Sequence, residues 1–365
     1  MKGFDTDFRD LPHYITAITA RIWEGRQVGA IRKYYAGDCP VRSPEGLVVG
    51  ADAVVAATLA TLAEFPDRRL LGEEVVWCGD DARGYLSSHR ILSTATHAAD
   101  GIYGRATQRR VQYRVIADCV VRANQVREEW LVRDQAAVAN CLGLSARAMA
   151  RRQIENGDGG FFTPAADAPS HYQAEFSTDA DAESYRRLWE DLWRADVAAC
   201  RRAYHPAAAL AGPGGAEHAG HADIERFHIG YLSALADARF EVHDLTCVAN
   251  ANGKSVAMRW SITATHSGRG VFAGGDGGGN DGGRDDGDGN GDGGNGDGGG
   301  GDGGGNGDGG NGDGGRGAPL YVLGISHARF AAGKIIAEWV LLDEVAVWKQ
   351  ILSAATENAG NHRGR

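Results

Sequence analysis

The stretch EEWLVRDQAAV at 128–138 returns as AEWVLLDEVAV at 337–347, and an internal repeat constrains a fold more than any composition does. Matches at one shared offset separate a duplication from chance. Tyr35 pairs with Tyr204, Arg90 with Arg259, and Thr94-Ala95-Thr96-His97 with Thr263-Ala264-Thr265-His266, all 169 residues apart. Asp67, Arg69 and Leu70 recur as Asp237, Arg239 and Phe240 at an offset of 170. At the closing motif Trp130 pairs with Trp339 and Asp134 with Asp343, an offset of 209, so the second copy has gained 209 minus 169, or 40, residues.

The surplus lies between about Gly268 and Gly317, in a tract built almost wholly of Gly, Asp and Asn. Such a segment has almost no apolar side chains to offset its chain entropy, so it is expected to be a solvated loop. Calcium-binding glycine repeats need a large apolar residue in each coil, and none is present here. Loop closure cost grows only logarithmically with length, so the insert is compatible with an intact second copy. The expected organisation is a first domain at 8–150, a linker at 151–180, and a second domain at 181–357 interrupted by the insert.

Hydrophobic content of 43% suits a soluble chain, and no apolar run is long enough to span a bilayer. MKGFDTDFRDLPHY lacks an apolar signal core, so a cytoplasmic location is expected. A net charge of −10 argues against nucleic acid as a partner. The six cysteines are scattered, without the spacing of a zinc site, and read as reduced small hydrophobes. His218 and His221 are three apart, but the Gly between them suggests a loop rather than a metal-binding helix face. The glycines of SPEGLVVGAD and GGAEHAGHAD do not have phosphate-loop spacing.

Hydrophobic spacing gives each copy the same order. Leu11, Ile15, Ile18 and Ile22 recur at helical period. A shorter helix follows in VGAIRKYYAGD, then an extended PVRSPEGLVVG, and a third helix from Ala51 that Pro66 ends. RRLLGEEVVWCGD, GYLSSHRILSTATH, RRVQYRVIADCVVR and QVREEWLVRD read as strands. The second copy repeats this, so the expected fold class is α+β: two tandem cone-shaped domains, each a curved antiparallel sheet wrapped on three helices.

Strand alternation sorts the polar candidates by face. Tyr85, Ser87, His89 and Ile91 share the face expected to be concave, and Trp260 occupies an equivalent position in the second copy. Arg90 and Arg259 then point outward, toward a contact between sheets. On the closing strand Trp130, Val132 and Asp134 share a face, as do Trp339, Leu341 and Asp343. A carboxylate buried beside Trp would have a raised pKa, useful in a general base; equally, Asp134 can cap the segment QAAVANCLG. His89 and Asp118, the latter replaced by His327 in the second copy, are either ligand-orienting groups or hydrogen-bonded buried polar residues. Asp118 and Asp134 would stand roughly 13 Å apart on paired strands, too far to share a proton.

YYAGDC, the V-V-G-A-D-A-V helix entry and the closing E-E-W-L-V-R-D-Q-A-A-V resemble the SnoaL-like polyketide and ester cyclases, a branch of the nuclear transport factor 2-like superfamily. The resemblance implies a small hydrophobic ligand, no metal or organic cofactor, and pairing through the sheets, as an intramolecular pseudo-dimer or a homodimer. It implies an Asp acid/base that takes a proton from a carbon flanked by carbonyls and returns it to the aldol oxygen. By position that role falls on Asp134, and on Asp343 in the second copy, with His89 and Asp118 orienting the ligand. Tyr85, Trp130, Trp260, His327 and Trp339 are then pocket residues. An isomerase or dehydratase, or a non-catalytic binding module on the same fold, are the alternatives.

Overall fold

The computed structural model describes residues 1–174, 176–251, 253–274 and 315–363. In the first half, Asp10 caps helix α1 (Leu11–Thr19) by accepting from His13 N at 2.8 Å, and Leu11, Ile15 and Ile18 form its buried stripe. A π turn at Ala20–Glu24 continues it, and α2 (Ile31–Tyr34) follows. α2 is shorter than the sequence suggests because Tyr35 becomes extended and bridges to Val126. Strands β1 (Pro40–Ser43) and β2 (Gly46–Val49) form a hairpin, and α3 (Ala51–Glu64) stops before Pro66. Four long strands come next: β3 (Arg69–Asp80), β4 (Gly84–Thr96), β5 (Arg110–Arg122) and β6 (Gln125–Arg133). They are followed by α4 (Gln135–Cys141).

The sheet order is β2-β1-β6-β5-β4-β3, antiparallel except where β1 runs parallel to β6. Helices α1 and α3 lie across its concave side, where Ile15, Ile18 and Val54 meet Ala117 and Cys119 in one apolar cluster.

Helix α5 (Ala146–Glu155) runs across the expected boundary at 150 and packs on the far end of the chain. The second half then repeats the plan with α6 (Ala180–Trp193), α7 (Ala199–Ala203), β7 (Tyr204–Ala211), β8 (Glu217–Ala219) and α8 (Gly220–Ala234). It closes with β9 (Leu235–Asn250), β10 (Gly253–His266), β11 (Pro319–Ala331), β12 (Lys334–Leu342) and α9 (Glu344–Arg363). Its order, β8-β7-β12-β11-β10-β9, is the first sheet's order again. Most of the glycine tract, 275–314, lies outside the described residues. At its edges the buried His266 ring sits between the carbonyl oxygens of Gly315 (3.2 Å) and Phe272 (2.9 Å). Among the described residues no helix is long and apolar enough to cross a membrane.

The two sheets meet through their outer faces. Leu86, Ile116, Val120, Trp130 and Val132 from the first sheet form one cluster with Leu323, Ile325 and Leu341 from the second. Two reciprocal stacks cross this contact: Arg90 lies 3.5 Å from the Trp339 ring centre, and Arg259 lies 3.5 Å from that of Trp130. Desolvated cation–π contacts of this kind contribute about 2 kcal/mol each. Both cations are balanced. Arg90 pairs with Glu73 (3.1 Å) and Glu74 (3.3 Å), and Arg259 with Asp118 across the contact at 3.3 Å. Arg90 also donates to His327 Nδ1 at 3.1 Å; since Arg is a donor only, the ring proton sits on Nε2 and points to Ser88 Oγ at 2.7 Å.

The Asp118–Arg259 pair gives a direct comparison. Asp118→Ala strands a buried guanidinium and is expected to cost about 3–5 kcal/mol in urea unfolding. Breaking the exposed Arg32–Asp52 pair by Asp52→Ala should cost no more than about 1 kcal/mol. Equal losses would mean that the inter-sheet charges are solvated and do not hold the halves together.

Candidate functional site

The first domain encloses a cavity of about 310 Å³ between its concave sheet and helices α1 and α3. Its wall is mainly apolar, with Ile15, Ile18, Trp23, Val54, Leu70 and Leu131 among the lining residues. The polar groups on it are few: His89 from β4, Glu129 and Arg133 from β6, Glu45 and Ser43 near the β1–β2 hairpin, Arg68, Tyr35, and three threonines. An apolar cavity with a few convergent polar groups is the usual form of a small-molecule site.

Side-chain alternation puts Glu129, Leu131 and Arg133 on the cavity face of β6 and Trp130, Val132 and Asp134 on the other. Burial raises the Glu129 carboxyl to about 7, while hydrogen bonding from Tyr35 and the charge of Arg133 hold it from rising further. His89 moves the opposite way, to about 4, because burial and then neighbouring Arg90 disfavour its cation. Its Nε2 is buried without a hydrogen-bond partner among the described residues. His89 stands opposite Ala117, and Glu129 opposite Cys119, in the strand register. Two strand spacings across and two residues along put their Cα atoms roughly 12 Å apart, both side chains facing one space. The two shifts run in opposite directions, leaving a carboxyl near neutrality and an imidazole held neutral on one wall.

The placement of the sequence candidates differs from expectation on β6. Asp134 is the N-cap of α4, accepting from Ala137 N at 3.0 Å. It also accepts from Gly214 N (2.8 Å) and Gly215 N (3.1 Å) of the second half, whose φ of 75° and 72° favour glycine. Asp343 is engaged in the same way at the head of α9: it accepts from Val345 N at 2.9 Å and from Gln135 Nε2 of the first half at 2.8 Å. Neither carboxylate is among the residues lining this cavity. Asp118 and His327 lie in the contact between sheets with Trp130 and Trp339, so these four are not pocket groups either. Tyr85 packs its ring on Phe4 and Trp77 and donates to Asp81, away from the cavity wall. Of the expected catalytic residues, His89 alone faces the cavity. His221 is held by the Tyr204 carbonyl oxygen at 3.1 Å.

The second domain treats the equivalent space differently. Its residual cavity is about 20 Å³. Trp260, where the first copy has Ile91, lies 5.0 Å from Trp189 between ring centres and donates to Ser326 Oγ at 2.8 Å. Its cross-strand partner is Gly324, where a Cβ would meet the Trp260 ring at 2.2 Å. Glu338, equivalent to Glu129, accepts from Tyr185 (2.6 Å), Trp189 Nε1 (3.1 Å) and Tyr204. The sequence signal for Glu129 was present in the repeat itself, since both closing motifs carry Glu immediately before Trp.

Residues 185–291 match the sequence profile of the SnoaL-like domain. No curated protein matches the chain. Among solved structures, IdmH of Streptomyces antibioticus, a proposed polyketide cyclase, is 19% identical over 36% of this chain and 98% of its own, with a TM-score of 0.32. AclR of Streptomyces galilaeus, a proposed hydroxylase, is 23% identical over 36% of this chain and 94% of its own, with a TM-score of 0.32. A proposed SnoaL-like polyketide cyclase from Jannaschia sp. CCS1 is 13% identical over 48% of this chain and 92% of its own, with a TM-score of 0.33. The chain therefore carries a SnoaL-like domain at residues 185–291 and builds the same six-stranded arrangement once more in its first half.

Proposed function

We propose that the first domain is a cofactor-independent acid/base enzyme of the cyclase or isomerase kind acting on a small hydrophobic carbonyl compound, with Glu129 as the proton-transfer group. One observation carries this reading. Of two equivalent glutamates, Glu338 is tied to three donors in a filled interior, whereas Glu129 opens on a cavity of about 310 Å³. The role expected of Asp134 thus moves to the other face of the same strand.

Glu129 as carboxylate removes a proton from a carbon next to a carbonyl, and the electron pair shifts to the carbonyl oxygen. His89, neutral at physiological pH, donates from Nε2 to that oxygen in the Nε2–H tautomer. In an isomerisation the Glu129 acid returns the proton to carbon. In a cyclisation the enolate carbon attacks a second carbonyl, one C–C bond forms, and Glu129 protonates the new alkoxide. A group with a pKa near 7 has both required forms present at neutral pH. The second domain serves in this reading as the packing partner of the first.

Deuterium uptake by 2-tetralone in D₂O, followed by NMR, tests the assignment. The wild type should accelerate exchange by about 10² to 10⁴, with a rate that rises as pH passes through about 7. Glu129→Gln should remove the acceleration and Asp134→Asn should retain it. Equal exchange in wild type and Glu129→Gln, or loss confined to Asp134→Asn with the fold intact, would sink the assignment.

Stability supplies an independent check. The folded pKa of Glu129, about 7, lies above its ordinary value of 4.5, so the folded state holds the proton more tightly. Below 4.5 the group is protonated in both states and its ionisation costs nothing. Between 4.5 and 7 the cost of keeping it buried grows, to roughly 3 kcal/mol above pH 7. Glu129→Gln, always neutral, should therefore gain stability over wild type at pH 8 relative to pH 4 in urea unfolding. A difference between the two proteins that does not change with pH would show that Glu129 titrates normally.

A further inference from the structure

The charged groups on the cavity wall do not all pair with one another. Arg133 donates to Glu45 Oε2 at 2.9 Å, which neutralises that corner. Arg68, only 8% exposed, has no carboxylate within the 4 Å of an ion pair among the described residues. Its Nε donates to Ser93 Oγ at 3.2 Å and its guanidinium lies 5.9 Å from the Tyr113 ring centre. A buried cation lacking a counter-ion is costly, and elsewhere in this chain such cations are paired: Arg42 with Glu128, Arg90 with Glu73 and Glu74, Arg259 with Asp118. Among the described residues the exception is Arg68, which lines the cavity.

From this we infer that the ligand of the first domain carries a carboxylate, bound by Arg68. A planar guanidinium fork matches a carboxylate with two parallel hydrogen bonds. A phosphate dianion would call for more positive charge than Arg68 supplies, since Arg133 on the same wall is already paired with Glu45 and the wall also holds Glu129.

The register also sets the ligand's shape. Ser93, which holds Arg68, stands opposite Tyr113, and Glu129 stands opposite Cys119. Six residues of β5 separate these rows, about 20 Å along the strand before the side chains reach inward. His89, opposite Ala117, falls between them. The ligand is thus elongated, with its acid group at Arg68, a carbonyl beside His89 and the reacting carbon at Glu129. This inference rests on the proposed cavity, but binding selectivity reads it independently of proton exchange.

Calorimetry on the full chain at roughly pH 6, where a benzoic-type acid is ionised and Glu129 is mostly protonated, tests it with three matched probes. These are biphenyl-4-carboxylate, the neutral 4-acetylbiphenyl and biphenyl-4-yl phosphate. Wild type should bind the carboxylate at least about tenfold more tightly than the ketone. Arg68→Gln should abolish that preference while leaving ketone affinity unchanged, which also shows that the cavity is intact. Arg68→Lys should keep part of the preference, and Glu129→Gln all of it. Carboxylate and ketone binding equally in wild type, no carboxylate binding, or a preference that survives Arg68→Gln would each overturn the inference. Phosphate binding more tightly than carboxylate would overturn the assignment of the acid group. Loss of exchange in Glu129→Gln alone bears only on the catalytic reading.

Discussion

The reciprocal stacking of Arg90 on Trp339 and of Arg259 on Trp130 decides which face of each sheet is available for chemistry. Each guanidinium is buried, charge-balanced and set over an indole of the other half, so the outer faces are committed to the contact. Strand geometry then leaves the concave faces for everything else. On β6 the consequence is residue by residue: Trp130 and Val132 look to the partner sheet, while Glu129, Leu131 and Arg133 look into the cavity. The same commitment places Asp134 and Asp343 at the joint between the copies. Each caps its own helix while accepting a hydrogen bond from the other half, so both carboxylates stabilise helix starts and the joint between copies together.

The copies have diverged where one cross-strand pair fills or spares the interior. In the first sheet Ile91 stands opposite Val115; in the second, Trp260 stands opposite Gly324. The indole occupies the space that a side chain at Gly324 would need, and it packs at a tilt against Trp189 and Phe240. Burying several aromatic rings contributes more to stability than an open cavity does, and it removes the room a ligand would use. A duplicated chain can fill one copy in this way while the other keeps its space, because the contact between them depends on the opposite faces.

Much of this was legible in the sequence. Offsets between repeats gave the tandem order, and helical and strand periods gave the elements of each copy. On β4 the alternation also assigned faces correctly: His89 faces the cavity and Arg90 faces the other sheet. It failed on β6 because both faces of that strand are buried. An apolar stripe ordinarily marks the core side, but here Trp130 and Val132 meet another sheet, and the face with fewer apolar residues holds the cavity. Hydrophobic patterning cannot rank two buried faces. The repeat itself held the missing clue, in the Glu that precedes Trp in both copies. Its two environments depend on Tyr185, Trp189 and Tyr204, which come from distant segments and have no local signature.

Those environments leave two equivalent glutamates with different partners. Burial raises both carboxyls above the ordinary value. At Glu338 two tyrosine hydroxyls and an indole N–H complete the acceptor sites, so the group is a finished piece of core. At Glu129 Tyr35 is the donor that remains, and open space takes the place of the others. A buried carboxyl with unfilled acceptor capacity is costly to a fold, and a proton, a water or a ligand relieves that cost. The first copy keeps that condition beside an imidazole nitrogen without a hydrogen-bond partner and a guanidinium without a carboxylate among the described residues, three incomplete groups around one apolar space. Any one alone is an ordinary defect of packing. On the proposed reading they are together the complement of a molecule with a carbonyl in the middle, an acid at one end and a transferable proton at the other.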